Sequence, residues 1–440
     1  MTSTISPARV AAFAALKQIE DGKFSSVALA EHESQLSPLD RALCHELVLG
    51  VLRWQLQLDE IIQHFSQRKI DSIDPPVRRA LRLGIYQLRF LSRVPASAAV
   101  NESVNLVNRA RVSSARPLVN AVLRRATREP DYSPSANISD PIERIAIETS
   151  HPRWLIERWS RAFGIEQTES FARANNETPV TAIRVVASAG DEERVLEQLR
   201  SAGATLSRSA VTTGAWRVSG ATRKVRELAE IGAIHIQDEA SQLVAEVVNA
   251  QPGDRVLDVC AAPGGKTTLI AERAQAGLVL ATDASERRLS TVAQTVELHR
   301  LNNVRLMIVD AREPLPFPIQ SLDRVLVDAP CSGTGTLRHN PEIRWRLKCD
   351  DIDELAQQQL QFLMNASQAV KRSGLLVYST CSVEQEENEG VVEQFLTRMP
   401  EFRQMSVSVN ERLMVPSGAA RTWPQRDGTD GFFITSFRRN

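Results

Sequence analysis

Long apolar runs are missing: nowhere in the 440 residues is there a stretch near the roughly 20 apolar residues that a membrane span requires. The apolar stretch from Val10 to Leu16 runs on into Lys17 and Glu20 in helical rhythm and lacks signal-peptide flanks, so it reads as the first helix of a domain. Cysteine is scarce. The five present (Cys44, Cys260, Cys331, Cys349 and Cys381) are odd in number and include no C-x-x-C pair. That excludes a disulfide framework and argues against a structural zinc site. The seven histidines show no ligand spacing with Cys or Asp, so no metal is expected. Net charge is lacking too, with 53 Lys and Arg against 53 Asp and Glu. These absences lead us to expect a soluble, cytoplasmic, monomeric protein with no membrane partner.

What is present is ample material for cores, with 42% hydrophobic residues, and enough chain for two or three domains. The balanced charge conceals a local excess. Between Ser66 and Arg128 stand 13 Lys or Arg against three acids (Asp71, Asp74 and Glu102), a surplus of +10. Solvated helix faces usually recruit both signs, so a stretch this one-sided points to an anionic partner, nucleic acid first.

From Pro7 to about Arg128 apolar residues recur at helical spacing, as in Leu43, Leu47, Val51 and in Leu81, Ile85, Leu88. Pro75-Pro76 can open a helix, because the first turn does not use the missing N–H. A linker rich in Pro, Ser and Asn follows from Glu129 to Asp140. The next stretch mixes strand (Thr181 to Ala187), helix (Glu192 to Ser201) and short strand (Ala215 to Val218). The expected division is a helical domain over 1–135, a small α/β adaptor over 141–235 and a third domain over 236–440.

In the last of these, strands alternate with helices. Arg255 to Val259, Leu278 to Thr282, Val304 to Val309, Arg324 to Val327 and Leu375 to Tyr378 read as strands of a mostly parallel, doubly wound sheet. Ligands of such sheets bind beyond the carboxyl ends of the strands. Asp283, Asp310, Asp328 and Cys381 all fall at those ends, so the spacing gathers them around one crevice.

The turn after the first strand reads Asp258-Val259-Cys260-Ala261-Ala262-Pro263-Gly264-Gly265-Lys266-Thr267. A phosphate-binding P-loop would need glycine where Cys260 stands, and the dinucleotide fingerprint G-x-G-x-x-G is absent. A third reading is the turn of a methyltransferase, with the amino-acid end of S-adenosylmethionine against the loop. Asp283 could then accept from both ribose hydroxyls, and Asp310 could serve the adenine amino group. Either acid alone could equally be a helix cap; the series together with the loop favours the cofactor.

Asp328-Ala329-Pro330-Cys331-Ser332-Gly333-Thr334-Gly335 follows the fourth strand. Methyltransferases of exocyclic nitrogens typically carry an aromatic residue where Cys331 stands, so the cysteine suggests another acceptor atom. Carbon 5 of a pyrimidine is too weak a nucleophile to take a methyl group unaided, but a thiolate added at carbon 6 activates it. Thr380-Cys381-Ser382 supplies a second cysteine, and a helix expected just after it would lower the thiol's pKa. For Cys44 and Cys349, and for Cys260 within its loop, packing is the leading reading, the usual fate of a free cysteine.

With these residues in place, the chain resembles the RNA cytosine-5 methyltransferase family (the Sun group), and within it the bacterial branch acting on 16S ribosomal RNA. The likeness spans nearly the whole chain. Its most specific pieces are Asp258 to Lys266, Asp328 to Gly335 and Ser379 to Ser382; Gln237-Asp238-Glu239-Ala240-Ser241 and Asp430-Gly431-Phe432-Phe433 support it. The resemblance implies a Rossmann-like S-adenosylmethionine-dependent domain, preceded by an all-α NusB-like RNA-binding domain and the small α/β linker domain. It implies Cys381 as nucleophile, Cys331 as the cysteine of product release, and Asp328 facing the base. Cofactor contacts would come from Cys260, Ala261, Ala262, Pro263, Gly264, Gly265, Lys266, Asp283, Asp310 and Asp328. Arg78, Arg79, Arg82, Arg124 and Arg125 would contact phosphates, which sets position and not base choice. The target cytosine would have to leave its stack. Two alternatives stay open: the same chemistry on transfer RNA or another ribosomal site, and a non-catalytic NusB-like RNA-binding factor.

Overall fold

The computed structural model describes residues 5–33 and 35–440. The chain divides into two compact units, one formed by the chain up to Glu177 together with Leu337–Arg346, the other by Thr178–Thr336 and Leu347–Asn440. The boundary at Glu177 falls inside the 141–235 stretch.

The first unit is helical. Pro7–Glu20, Pro38–Arg53, Pro75–Phe90 and Pro141–Thr149 all begin on a proline, which the first turn of a helix accepts without losing a bond. The Ser37 hydroxyl caps the second of these by accepting from the Asp40 N–H. Leu47, Val51, Leu81 and Ile85 are buried in one shared core, with Leu43 and Leu88 packed at its margin. The helices Arg153–Phe163 and Ile165–Ala174 also belong to this unit.

The segment Leu337–Arg346 completes it. Arg344 is fully buried, and its Nη1 donates to the carbonyls of Ser150 at 3.1 Å and Arg53 at 3.4 Å and to Asn176 Oδ1 at 2.9 Å. Its Nη2 reaches the Asn175 carbonyl at 3.4 Å. Trp345 Nε1 donates to the Leu52 carbonyl at 2.7 Å, and the Arg53 guanidinium returns a bond to the Arg338 carbonyl at 3.0 Å.

The charge surplus divides on inspection. Arg79 is buried against Glu20 at 2.7 Å, and Arg82 grips Asp59 through two bonds of 2.7 Å. These two are internal ion pairs and not a phosphate-binding face, because acids distant in sequence reach them. Arg78 lies half-buried near Asp71, whereas Arg124 and Arg128 on the helix Arg116–Arg128 are exposed.

The second unit holds two sheets. A small antiparallel sheet has β1 (Thr181–Val185), β2 (Thr205–Arg208), β3 (Ala215–Ser219) and β4 (Ile234–Ile236) in the order β2-β3-β1-β4. The main sheet comprises β5 (Arg255–Asp258), β6 (Leu278–Asp283), β7 (Val304–Ile308), β8 (Leu322–Asp328), β9 (Val370–Thr380), β10 (Phe402–Met405), β11 (Ala420–Arg421) and β12 (Phe433–Arg439). Its order is β10-β12-β9-β8-β5-β6-β7, with β11 paired to β12. Strands β5 to β9 run parallel, while β10 and β12 are antiparallel additions at one side. Strand β7 is an edge strand, so Leu306, Met307 and Ile308 are exposed instead of buried. The parallel array brings the carboxyl ends of β5, β6, β8 and β9 to one rim, where Asp258, Asp283, Asp328 and Cys381 stand.

Candidate active site

At the end of β5 the chain turns through Cys260 to Gly264 and enters the helix Gly265–Arg273. The Ala261 N–H donates to the Thr282 carbonyl at 2.8 Å, tying the turn to β6. Gly264 caps the helix in the left-handed region at φ +106°, and a Cβ there would lie 3.3 Å from Val292. A side chain at this position would be both strained and crowded. Thr267 Oγ1 donates to Asp258 Oδ2 at 2.6 Å. Asp258 Oδ1, by contrast, is buried with no hydrogen-bond partner. Burial pushes this carboxyl up to about 7, with the Thr267 hydroxyl opposing it.

That orphan acceptor is a direct test of whether the loop fits the cofactor. A buried acceptor without a donor costs about 1–3 kcal/mol. The ammonium of an amino-acid group would relieve it, and S-adenosylmethionine carries one. In the sequence Asp258 is only the first residue of the loop; its isolation in the core depends on the fold. Asp283, nearly buried at the end of β6, accepts from the Ser285 N–H at 3.0 Å and meets Arg288 at 3.3 Å. Asp310 lies just beyond β7, its carboxylate engaged by Arg312 at 2.5 Å, which holds it below the usual carboxylate range. Cys260 is partly buried beside these acids, and burial raises its thiol strongly.

The affinity for S-adenosylmethionine should therefore depend on pH. A carboxyl near 7 is mostly protonated at pH 5.5 and mostly charged at pH 7.5. Only the charged form fully accepts from an ammonium, so binding should strengthen by up to about tenfold per pH unit towards 7 and then level off. Calorimetric titration across pH 5.5–7.5 measures this. An unchanged slope in Asp258→Asn would refute the assignment.

At the next two strand ends the cysteines meet. Cys331 Sγ lies 3.2 Å from Cys381 Sγ, both partly buried. The contact with Cys381 and burial together push the Cys331 thiol well above its ordinary value. Beside them Asp328 Oδ2 pairs with Lys266 Nζ at 2.7 Å, and Asp328 Oδ1 accepts from Ser379 Oγ at 2.7 Å. Burial alone would lower the Lys266 ammonium, but the Asp328 carboxylate outweighs it and holds the group above the ordinary lysine value.

The helix expected immediately after Cys381 does not start there. Ser382 to Asn388 form a turn, and the helix begins at Glu389. The turn is held by side chains instead: Asn388 Nδ2 donates to the Ser382 carbonyl at 2.9 Å, and Thr380 Oγ1 donates to Asn388 Oδ1 at 2.5 Å. Cys381 thus lacks the helix N-terminus invoked for its activation. Among the remaining cysteines, Cys44 is buried in the helical core and pushed up to about 11 by burial, while Cys349 is exposed and fills no core.

The supporting motifs find structural work. The Gly335 N–H donates to the Cys381 carbonyl at 3.0 Å, and the Gly431 N–H donates to the Gly335 carbonyl at 2.8 Å. Asp238 accepts from Thr429 Oγ1 at 2.6 Å and from the Asp430 N–H at 3.2 Å, fixing the segment before Gly431. A Cβ on Gly335 would fall 1.9 Å from the Gly431 carbonyl oxygen. Gly335→Ala should therefore displace backbone between the two cysteines and lower kcat about 100-fold. Binding of S-adenosylmethionine at the β5 loop should stay within about threefold, as read by calorimetry beside a methyl-transfer assay, because Gly335 contributes no side chain to that loop.

Among the described residues no group of three His, Cys, Asp or Glu is placed to hold a metal ion, and no helix is long and apolar enough to cross a membrane.

This parallel sheet, its loop after β5 and the acids at its rim define an S-adenosylmethionine-dependent methyltransferase with a Rossmann-like catalytic domain. Family comparison refines the class. Residues 245–438 match the 16S rRNA methyltransferase RsmB/F model, 6–128 match the NusB family, and 151–223 match the ferredoxin-like domain of RsmF/B-like methyltransferases. The chain is 34% identical over 414 residues to a probable ribosomal RNA small subunit methyltransferase B of Bacillus subtilis, covering 92% of each chain. It is 36% identical over 434 residues to ribosomal RNA small subunit methyltransferase B of Pseudomonas putida, covering 97% of each. A crystal structure of PH0851 superposes with a TM-score of 0.84 at 28% identity over 99% of both chains. A methyltransferase homologue from Pyrococcus horikoshii, at 24% identity and a TM-score of 0.60, covers 69% of this chain and 100% of its own, and shares the fold. The chain belongs to the RsmB/F family of 16S rRNA methyltransferases.

Proposed function

We propose that this protein transfers a methyl group from S-adenosylmethionine to carbon 5 of a cytosine in 16S ribosomal RNA, through a covalent adduct at carbon 6. The observation that carries the reading is the 3.2 Å approach of the Cys331 and Cys381 sulfurs beside the Asp328–Lys266 pair. One cysteine would suffice for packing; two sulfurs in contact at the ligand rim suit a cycle that needs a nucleophile and a proton carrier.

In this cycle the Cys381 thiolate adds to carbon 6 and pushes electron density onto carbon 5. Asp328 faces the base, and the Lys266 ammonium bridged to it steadies the negative charge that develops on the ring edge. S-adenosylmethionine held by Asp258, the Cys260–Lys266 loop, Asp283 and Asp310 would supply an electrophilic methyl group to carbon 5. Cys331, a thiol until its proton passes to the ring edge as the adduct forms, is then the thiolate that takes the carbon 5 proton. The bond from Cys381 to carbon 6 then breaks, returning the sulfur's electron pair as the ring edge gives its proton up to water. Exposed Arg124 and Arg128, with half-buried Arg125, would meet phosphates. Residues 1–135 would gather the RNA, 141–235 would link, and 236–440 would carry the chemistry.

Incubation with labelled S-adenosylmethionine and protein-free 16S RNA, followed by nucleoside analysis, tests the proposal. Label in 5-methylcytidine supports it. Label in another nucleoside overturns the carbon 5 chemistry, and label on transfer RNA alone overturns the substrate.

A further inference from the structure

Glu387 has no part in the scheme above, yet it is the carboxylate most closely woven into the cysteine loops. It sits in the turn between β9 and the helix Glu389–Arg398 and is fully buried. Its Oε1 accepts from the Ser332 N–H at 2.8 Å and from Gln359 Nε2 at 2.8 Å. Its Oε2 accepts from Ser332 Oγ and Ser382 Oγ, each at 2.5 Å. Ser332 follows Cys331, and Ser382 follows Cys381. Four neutral donors fill the acceptor sites of one carboxylate. Tyr378 Oη steadies the clamp by donating to the Glu387 carbonyl at 2.6 Å, and it lies 3.0 Å from Gln359 Oε1.

We propose that Glu387 is a positioning residue for the reaction: one buried carboxylate fixes the spacing of the two sulfurs by clamping the residue that follows each. The inference rests on the two-cysteine reading above. A backbone hydrogen bond could hold either loop alone, but a single side chain bonded to both makes their separation one variable. Its charge has a second consequence. Around Cys331 stand Tyr378 from β9, Cys381 just after it, Glu387 from the following turn, and the Asp328–Lys266 pair from the ends of β8 and the cofactor loop. After the contact with Cys381 and burial, the Glu387 charge further disfavours a thiolate at Cys331, which keeps that residue a carrier of protons.

Glu387→Gln keeps the shape, removes the charge and turns a donor towards groups that themselves donate. The expected result is a kcat lower by about 100-fold, the scale of a misplaced reacting group. KM for RNA and Kd for S-adenosylmethionine should stay within threefold, and the cysteine limb of the pH–rate profile should move to lower pH. Glu387→Asp, which retains the charge but shortens the reach, should lose rate without moving the limb. Should Glu387→Gln fail to fold, Ser332→Ala and Ser382→Ala each remove one donor and should each lower kcat at unchanged KM. Wild-type kcat in Glu387→Gln, or a drop in kcat with the limb unmoved, would overturn the clamp. Wild-type protein that labels a nucleoside other than 5-methylcytidine would instead overturn the reading on which it rests.

Discussion

Cys331→Ala is expected to leave RNA covalently attached to the protein on a denaturing gel, while Cys381→Ala yields neither adduct nor product. The difference follows from the order of bond making in the proposed cycle. Without the Cys381 sulfur nothing adds to carbon 6, carbon 5 stays unactivated, and turnover falls by roughly 10⁴-fold or more, as when a catalytic nucleophile is removed. Without Cys331 the addition still proceeds, but the carbon 5 proton loses its acceptor and the adduct persists. The sulfurs are close enough, at 3.2 Å, for either to substitute if the geometry were symmetric. Symmetry is broken by the surroundings, since contact with Cys381 and burial hold Cys331 as a thiol. Gel electrophoresis with labelled RNA and labelled cofactor reads both outcomes in one experiment. Wild-type turnover in both variants would remove the covalent scheme while leaving the fold and family intact.

Arg344→Met is expected to lower the stability of the helical unit by about 3 kcal/mol, the scale of stranding several buried acceptors. For a unit of this size that corresponds to a fall of about 6–12 °C in its melting transition. The reason is that methionine fills the volume but offers no N–H. The carbonyls of Arg53, Ser150 and Asn175 would then lie in the core without donors. His151, fully buried nearby, is held neutral by burial and by the Arg344 charge, and so offers no replacement cation. Differential scanning calorimetry measures the shift. Arg344→Lys should fall between the two, because an ammonium keeps the charge but cannot spread its donors over the same fork. An unchanged transition in Arg344→Met would mean that these carbonyls find other partners.

Alternation of apolar strands with helices, and acids or cysteines at strand ends, can be read in sequence because both depend on neighbours within about ten residues. That is why Asp283, Asp310, Asp328 and Cys381 can be placed at strand ends from the sequence, whereas Asp258 reads there only as part of the loop. Residues whose role depends on distant partners escaped. Glu387 bonds Ser332, 55 positions away, and Arg344 bonds carbonyls up to 291 positions away. The same blindness misled the charge count. Arg79 and Arg82 are indistinguishable in sequence from Arg124, but Glu20 and Asp59 fold against them and remove them from the surface. Ser382 to Asn388 form a turn where a helix is expected, because the segment is held by side-chain bonds and not by a periodic backbone.

The sequence by itself determined the class of sheet, the loop that suits S-adenosylmethionine and the pair of cysteines at one rim, since a helix between successive strands makes them parallel and parallel strands align their carboxyl ends. Only the tertiary structure decided which charges are free, how far apart the two sulfurs stand and which carboxylate holds them there. Those depend on side chains far apart in the chain meeting in a low-dielectric interior, where each unmatched polar group is costly and each matched one is fixed.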